Sequence, residues 1–536
     1  MVTPGPLRAA DLPLYYNAVH ILEHNLALRG GKIALLTPSR ALTFAEVSAE
    51  VNRVGNALVR LGVRFGETVG LLCLDSAEWV TSFFGIMKIG GVAVGLNTLL
   101  KPREQAYTLT DARVRVLIVH RDLLPTIEPI RDELRFLEHV IVVGGMGRPG
   151  DPSFSEWIAP ETDQLHPAST HREDFCSLNY SSGTTGEPKG ILHAHKDYPI
   201  TAQLVGVNGL GLSEADRTFG APKLFFTFGT GGNLIFPWFV GASVVLYPGP
   251  PRVATNVLEV IDRFKPTIHY NAPTGYAAML AVADFTSKYD LRSLRLCVSA
   301  GEALPAPIFL AWKERTGVEI VDGLGSTENF HMFIMGRPGE IRPGATGKPI
   351  EGYEVRLQDD EGRDVPHGQI GNLFVRGETA ALAYLHQYAA SQRTFQGEWL
   401  RTGDKYFVDE GGYFWHAGRS DDMLKVGGIW VSPVEVESTL LCHPAVLECA
   451  VIGQEDPAGL IKPKAYVVLK EGHAASADLS AALITFCRQR IADYKRPRWV
   501  ELVAELPKTA TGKIQRFKLR ERSEARVSVA PAGDGV

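Results

Sequence analysis

"LRLCVSAGEALPAPIFLAWKERTGVEIVDG", Leu294 to Gly323, sets two short apolar runs, "LRLCVSA" and "VEIVDG", on either side of the helix-patterned "PIFLAWKERTG". Apolar strands that alternate with helices belong to parallel sheets covered on both faces. The same alternation recurs along the chain: "TVGLLCL" before "SAEWVTSFFGIMKI", then "RVRVLIVH" and "HVIVVGG", then "SVVLY" before "NVLEVIDRF" and "TIHY". The predicted class is α/β. "VTSFFGIMKIGGVAVGL" carries Lys88 and a Gly-Gly break after a helix-length segment, so it reads as a buried helix followed by a strand rather than a membrane span. "GMGRPGDPSFSEW" reads as a surface loop.

The 536 residues are enough for several folding units, and a net charge of −5 argues against nucleic acid or an anionic membrane as the main partner. Six scattered cysteines without C-x-x-C spacing fit buried thiols in a reducing compartment, and the N-terminus lacks the pattern of a signal peptide. The expectation is a cytoplasmic protein with no membrane partner. Its tail "SVAPAGDGV" reads as disordered and is not a peroxisomal ending.

Past residue 420 the chain changes character. The strands "LECAVIG" and "PKAYVVL", the helix "LSAALITFCRQRIADY" and the basic end "LPKTATGKIQRFKLR" predict a compact α+β unit. The polar, glycine-bearing junction "GRSDDMLKVGG" suits a hinge. The expected organisation is a large domain of stacked, mostly parallel sheets over 1–419 and a small mobile domain over 420–536.

"YSSGTTGEPKG", Tyr180 to Gly190, has the hydroxyls and glycines of a phosphate-binding loop, but Pro188 precedes Lys189 and Gly190 follows it, so the Gly-Lys-Ser/Thr of a Walker P-loop is absent. Downstream stand "DGLGSTEN" (322–329), "WLRTGD" (399–404), "GRSDDMLKVGGIWVSPVEVE" (418–437) and "PKTATGKIQR" (507–516). These five blocks, in this order over nearly the whole chain, resemble the acyl-adenylate-forming superfamily: acyl- and aryl-CoA ligases, peptide-synthetase adenylation domains and beetle luciferases.

The resemblance implies ATP, Mg²⁺ and coenzyme A as cosubstrates and cofactor. Ser181, Ser182, Gly183, Thr184, Thr185, Gly186 and Lys189 would hold the ATP phosphates. Thr327 would donate to the α-phosphate, Glu328 would bind Mg²⁺, and Lys513 would be the catalytic lysine. Gly301, Glu302 and Ala303, with Asp322 and Gly323, correspond to the adenine slot; Asp404 and Arg419 correspond to the ribose site. Asp421 matches the hinge, and Gly427 and Gly428 match the segment that lets the pantetheine arm approach. Lys189 and Lys508 each fit a motif, but either is also readable as a loop anchor. "HAH", His193 and His195, has no third ligand of suitable spacing and is read as structural rather than metal-binding.

The region "APKLFFTFGTGGNLIFP" lacks the aspartate with which adenylation domains pair an amino acid's ammonium, so an α-amino acid is disfavoured. Its phenylalanines and "GSTENFHMF" are similar to the benzoate- and aminobenzoate-CoA ligase branch. Phe226, Phe228, Ala300, Gly325, Phe330 and His331 are the predicted acyl pocket, with His331 meeting either the carboxylate or a ring substituent. The expected substrate is a small aryl carboxylate such as benzoate or 2-aminobenzoate (anthranilate). Two rival readings remain at this point: an adenylating enzyme that loads a carrier protein, and a non-catalytic nucleotide-binding protein. Monomer and homodimer both fit.

Overall fold

The computed structural model describes residues 5–181, 188–250, 253–419, 422–426, 429–456, 460–508 and 514–529. The stretch 294–323 folds as its pattern predicts. Strand Leu296–Ala300 is buried at every residue, helix Ala306–Thr316 crosses over, and strand Ile320–Gly325 returns parallel, with Val298 opposite Val321. Pro307 sits in the first helical turn, where a missing N–H costs nothing, and Gly317 ends the helix at φ 74° while its N–H donates to the Lys313 carbonyl.

Two sheets are built from such units. The first runs His139–Val143, Val116–His120, Thr68–Leu72, Val92–Gly95, Phe175–Ser181, Lys189–Ala194, and is parallel except for its last pair. The second has nine strands: a parallel centre from Ile320–Gly325 through Leu296–Ala300, Ile268–Asn271, Arg217–Gly220 and Ser243–Val245 to Ile33–Leu36, with antiparallel edges. One core joins them: Val69, Leu71 and Ile118 of the first sheet share a cluster with Leu35, Tyr270, Val298 and Val321 of the second. Helices Phe44–Arg60 and Ala77–Lys88 contribute to the same cluster. The former begins with a reciprocal cap between Thr43 and Glu46. Lys88, the charge inside the apolar run, is buried and donates to Glu23 and Asn52, which is how the helix tolerates it.

A third sheet, wholly antiparallel, follows: Glu354–Gln358, Gly371–Arg376, Trp399–Val408 and Phe395–Gln396, with Phe414–Arg419 paired to Trp399–Val408. The small domain then forms on Val446–Glu455, Ile461–Leu469 and Trp499–Leu502. Helices Pro433–Leu441 and Ala477–Arg488 cover one face of this sheet, and Leu519 of helix Arg516–Val529 packs on the other. The α/β class with a small α+β domain is therefore present.

The segment 145–157 departs from the surface loop expected of it. Asp151 is buried against Arg131, Ser153 caps helix Phe154–Ile158, and Phe154 and Trp157 enter the core. The Pro/Gly-rich half misled the reading because the buried aromatics lie only at its end. No helix among the described residues is long and apolar enough to cross a membrane.

Candidate functional site

A cleft of about 890 Å³ opens where the parallel strands Leu296–Ala300 and Ile320–Gly325 end and the small domain faces them. Ligands bind at the carboxyl ends of parallel strands because loops, not side chains of the next layer, cover that edge. Gly301, Glu302, Ala303, Asp322, Gly323, Gly325, Asp404 and Arg419 all line this cleft. Gly301 has φ 94°, which turns the chain sharply off its strand. A side chain at Gly325 would start 2.6 Å from the His331 carbonyl oxygen, so only glycine lets the antiparallel neighbour pass so near.

Asp322 accepts a hydrogen bond from the Leu304 N–H at 3.3 Å, while its Oδ1 has no hydrogen bond of good geometry. Burial pushes its carboxyl up to about 8, although nearby donors (the Leu304 N–H, the Ser299 hydroxyl and the Gly323 amide) partly oppose this. Asp404 and Arg419 face each other across an antiparallel strand pair, with Nη1 3.1 Å from Oδ1.

The turn Thr327–Phe330 is held from every side. The Thr327 carbonyl accepts from the Phe330 N–H at 3.0 Å and from His193 Nε2 at 2.7 Å. The Glu328 carbonyl accepts from the Ala381 N–H at 2.7 Å, and that of Asn329 from the Thr379 hydroxyl at 3.1 Å. These bonds hold Phe330 at φ 68°, a value a bulky residue adopts only when its surroundings over-determine it. His193 is itself fixed by Asp197, with Nδ1 3.0 Å from Oδ2. His195 accepts from the Ala18 N–H. Both histidines of "HAH" are thus structural, and His193 reaches the turn that carries Thr327 and Glu328.

Ser181 ends one strand of a hairpin and Lys189 begins the next, directly opposite it. Ser182, Gly183, Thr184, Thr185 and Gly186, between them, lie outside the described residues, as do Asp421, Gly427, Gly428 and Lys513. Lys508 and Ile514, which flank the Lys513 segment, line the cleft. Lys508 also pairs with Glu448 at 2.5 Å.

Tyr384 was not legible as a site residue. Its hydroxyl donates to Glu328 Oε1 at 2.7 Å, and the Lys189 ammonium lies 4.6 Å from its ring centre. Burial, then the Glu328 carboxylate, raises its pKa, so the phenol keeps its proton.

The predicted acyl residues do not line the nucleotide-side cleft, apart from Gly325. Phe228 and His331 instead belong to an aromatic group with Tyr270 and Phe236. Phe228 meets Tyr270 at 5.9 Å and His331 at 5.5 Å, and His331 meets Phe236 edge-on at 4.6 Å. Burial pushes the His331 pKa down to about 3, so its ring is neutral. Phe226 meets Phe225 instead, ring centres 4.2 Å apart and tilted at 53°, and the backbone of Phe225 packs on Gly95. Phe330, predicted beside them, is fully buried in the core against Tyr198 and His193, because the strained turn sends its ring inward. Ala300 is buried at the end of its strand.

One side of the cleft offers strand-end glycines, a buried acid and an acid–arginine pair; beside it lies an uncharged aromatic group. These are the features of a nucleotide-binding site joined to an apolar one in a two-domain α/β protein. The chain belongs to the AMP-binding enzyme family, which matches residues 22–385, and the AMP-binding enzyme C-terminal domain matches residues 435–513. It is 45% identical over 516 residues to the benzoate–CoA ligase of Thauera aromatica, covering 96% of this chain and 97% of that one. It is 66% identical to the anthranilate CoA ligase AuaEII, solved in complex with anthranoyl-AMP, with a TM-score of 0.95 over 98% of this chain and 100% of that one. A benzoate CoA ligase from Burkholderia xenovorans LB400 is 39% identical, with a TM-score of 0.87 over 94% and 100%.

Proposed function

We propose that this chain is an ATP-dependent aryl-CoA ligase, with 2-aminobenzoate (anthranilate) its first candidate substrate and benzoate the second. The observation that carries the reading is the uncharged aromatic group of Phe228, Tyr270, Phe236 and neutral His331, beside the cleft lined by the strand-end glycines, in a chain 66% identical to an anthranilate CoA ligase. A zwitterionic amino acid would need a charged partner in this group. A neutral aniline nitrogen does not.

In the first half-reaction a carboxylate oxygen attacks the α-phosphorus of ATP, the bond to the bridging β-oxygen breaks, and pyrophosphate leaves. In the second the CoA sulfur attacks the acyl carbon and AMP departs with its phosphate oxygen. Asp322 and the backbone of Gly301–Ala303 and Gly323 would receive adenine, and Asp404 would accept from the ribose hydroxyls with Arg419 holding its carboxylate in place. Ser181, the hydroxyl loop after it and Lys189 would hold the β- and γ-phosphates, and Thr327 the α-phosphate. Lys513 would stabilise the charge that develops between carboxylate and α-phosphate.

Glu328 fits a Mg²⁺ site: Oε1 is held by Tyr384, Oε2 takes no hydrogen bond among the described residues, and Mg²⁺ is commonly held by one carboxylate together with substrate phosphates. Bound there, Mg²⁺ would neutralise phosphate charge and fix its geometry. Phe330 is assigned to the support of this turn rather than to the pocket wall. Residues 1–419 would form one body and 420–536 another, turning at Asp421 to present first Lys513 and then the Gly427–Gly428 segment. All these groups come from one chain, so a monomer suffices. The cytoplasm, with its ATP and CoA, is the proposed location.

The test is AMP release from benzoate, 2-aminobenzoate and octanoate, with and without CoA, for wild type and Phe228→Leu. The aryl acids should lead, turnover should require CoA, and the substitution should narrow their lead over octanoate. Octanoate as best substrate would refute the aromatic pocket. Pyrophosphate exchange without CoA-dependent AMP release would instead indicate a carrier-protein acceptor.

A further inference from the structure

We propose that Tyr384 is a positioning residue that sets the spacing between the acid and the cation of the phosphate half-site, Glu328 and Lys189. This rests on the reading above that those two groups act on the ATP phosphates. Tyr384 touches both at once: its hydroxyl donates to Glu328 Oε1 at 2.7 Å, and its ring face carries the Lys189 ammonium at 4.6 Å. One rigid side chain therefore spans two groups drawn from different sheets. Glu328 follows a strand of the nine-stranded sheet, and Lys189 begins the last strand of the six-stranded one.

The backbone around Tyr384 makes the same two connections. Ala381 N–H donates to the Glu328 carbonyl at 2.7 Å, and Leu385 N–H donates to the Gly190 carbonyl at 2.8 Å, beside an isolated antiparallel bridge between Ile191 and Tyr384. Tyr384 N–H is itself held by the Ser391 hydroxyl at 2.9 Å, and its ring meets Phe395 edge-on at 5.1 Å. The segment 381–385 is thus laced to both motifs, and Tyr384 is the side chain it places between them.

The chemistry of the three groups explains why a tyrosine suits this place. Glu328 and Lys189 have opposite charge, and a direct pair would satisfy both and leave neither for a ligand. A phenol satisfies one carboxylate oxygen and leaves the other. Its π-face holds an ammonium while leaving the N–H donors directed elsewhere. Phenylalanine would keep the second function and lose the first, and leucine would lose both. Outer hydrogen bonds that orient a metal-binding carboxylate typically alter metal affinity by roughly 10- to 100-fold.

Calorimetric titration of the full chain with ATP, in EDTA and across a series of Mg²⁺ concentrations, separates these functions without any acyl substrate or thiol. Tyr384→Phe should leave metal-free ATP affinity within about twofold of wild type and raise the Mg²⁺ concentration for half-maximal tightening about tenfold. Tyr384→Leu should add a loss of metal-free affinity of roughly threefold, because it removes the ring–ammonium contact, and Lys189→Met should lose more, because it removes the cation itself. The KM for the carboxylate should not move in either Tyr384 variant. A purely structural tyrosine would weaken metal-free and Mg²⁺-dependent binding by equal factors, or leave both unchanged in Tyr384→Phe; either result overturns the proposal. In Glu328→Gln the further substitution Tyr384→Phe should have no added effect on the Mg²⁺ response, and an undiminished tenfold effect there would also overturn it. Wild type that binds ATP but activates no aryl acid would refute the ligase reading and leave this one standing.

Discussion

The two walls of the cleft are built on different principles. On the large domain, the turn Thr327–Phe330, which follows the cleft-lining Gly325, is fixed by hydrogen bonds to three successive backbone carbonyls, tight enough to hold Phe330 at positive φ. On the small domain, the facing surface is tied by charge. Arg516 pairs with Glu437 through Nη2 at 2.8 Å and lies 3.7 Å from Asp422, Arg520 donates to Asp422 at 2.8 Å, and Lys508 meets Glu448. Backbone bonds lock groups to one sheet edge, whereas the ion pairs of this cluster join residues from Asp422 onward, past the proposed hinge, with Arg516 also drawn by the charge of Glu302 on the large domain. The large-domain wall is preorganised in place; the small-domain wall is organised chiefly within itself, as the proposed turn at Asp421 requires.

That contrast fails most visibly if the carried wall contributes nothing to the first half-reaction. Lys513→Ala should therefore slow adenylation by roughly 10²- to 10³-fold, about 3–4 kcal/mol, the usual loss for one electrostatic donor at a developing charge. Thioester formation from synthetic aryl-AMP should be spared. Single-turnover assays of each half-reaction measure both, and equal losses in the two would mean that Lys513 serves the fold rather than one orientation of it.

How much of each wall could be read from sequence follows the same division. The parallel strands were legible because burial on both faces leaves an apolar run, as at Leu296–Ala300, and the glycines and acids of the strand ends were legible because they cluster within short blocks. Tyr384 and His193 were not. Their partners lie 56 and 134 positions away, and nothing in "ALAYLHQ" or "HAH" encodes a distant contact. Phe330 was read as a pocket residue from its neighbours in "GSTENFHMF", but its side chain direction depends on a backbone angle that no composition reveals. The antiparallel third sheet went unremarked because its edge strand Glu354–Gln358 buries only Leu357 and carries charges between its apolar residues.

A smaller effect tests whether the ion cluster holds the small domain together as claimed. Arg516→Met removes a guanidinium shared by two carboxylates and leaves Glu437 with only the Val451 N–H as a described partner. Breaking one side of a buried pair costs about 3–5 kcal/mol, and the residual exposure of Arg516 places the expected loss near the lower figure, about 3 kcal/mol. Glu437→Gln should cost a comparable amount, and the double variant much less than the sum of the two, because the second change removes a charge already left unpaired. Urea unfolding of the three variants decides this. Additive losses would show that the residues stabilise the domain separately, and the small wall would then have no common framework.

The smallest expected effect belongs to the large-domain wall and depends on pH. Asp322 is held by geometry rather than by an opposite charge, and burial raises its pKa to about 8. An unfolded aspartate has a pKa of about 3.9. Between those values the unfolded chain has released this proton and the folded chain has kept it. Asp322 therefore contributes stability that is fully present below about pH 4 and is lost as pH rises through about 8. The slope within the window is at most about 1.4 kcal/mol per pH unit, since one proton differs between the states. Asp322→Asn preserves the acceptor for the Leu304 N–H and has no proton to lose. Measured by urea unfolding without nucleotide at pH 6.5 and 7.5, the variant should gain on wild type by about 1 kcal/mol at the higher pH. If the two stabilities change in parallel, Asp322 is ionised in the folded protein, and this wall too relies on a charged partner, which removes the distinction between the two sides of the cleft.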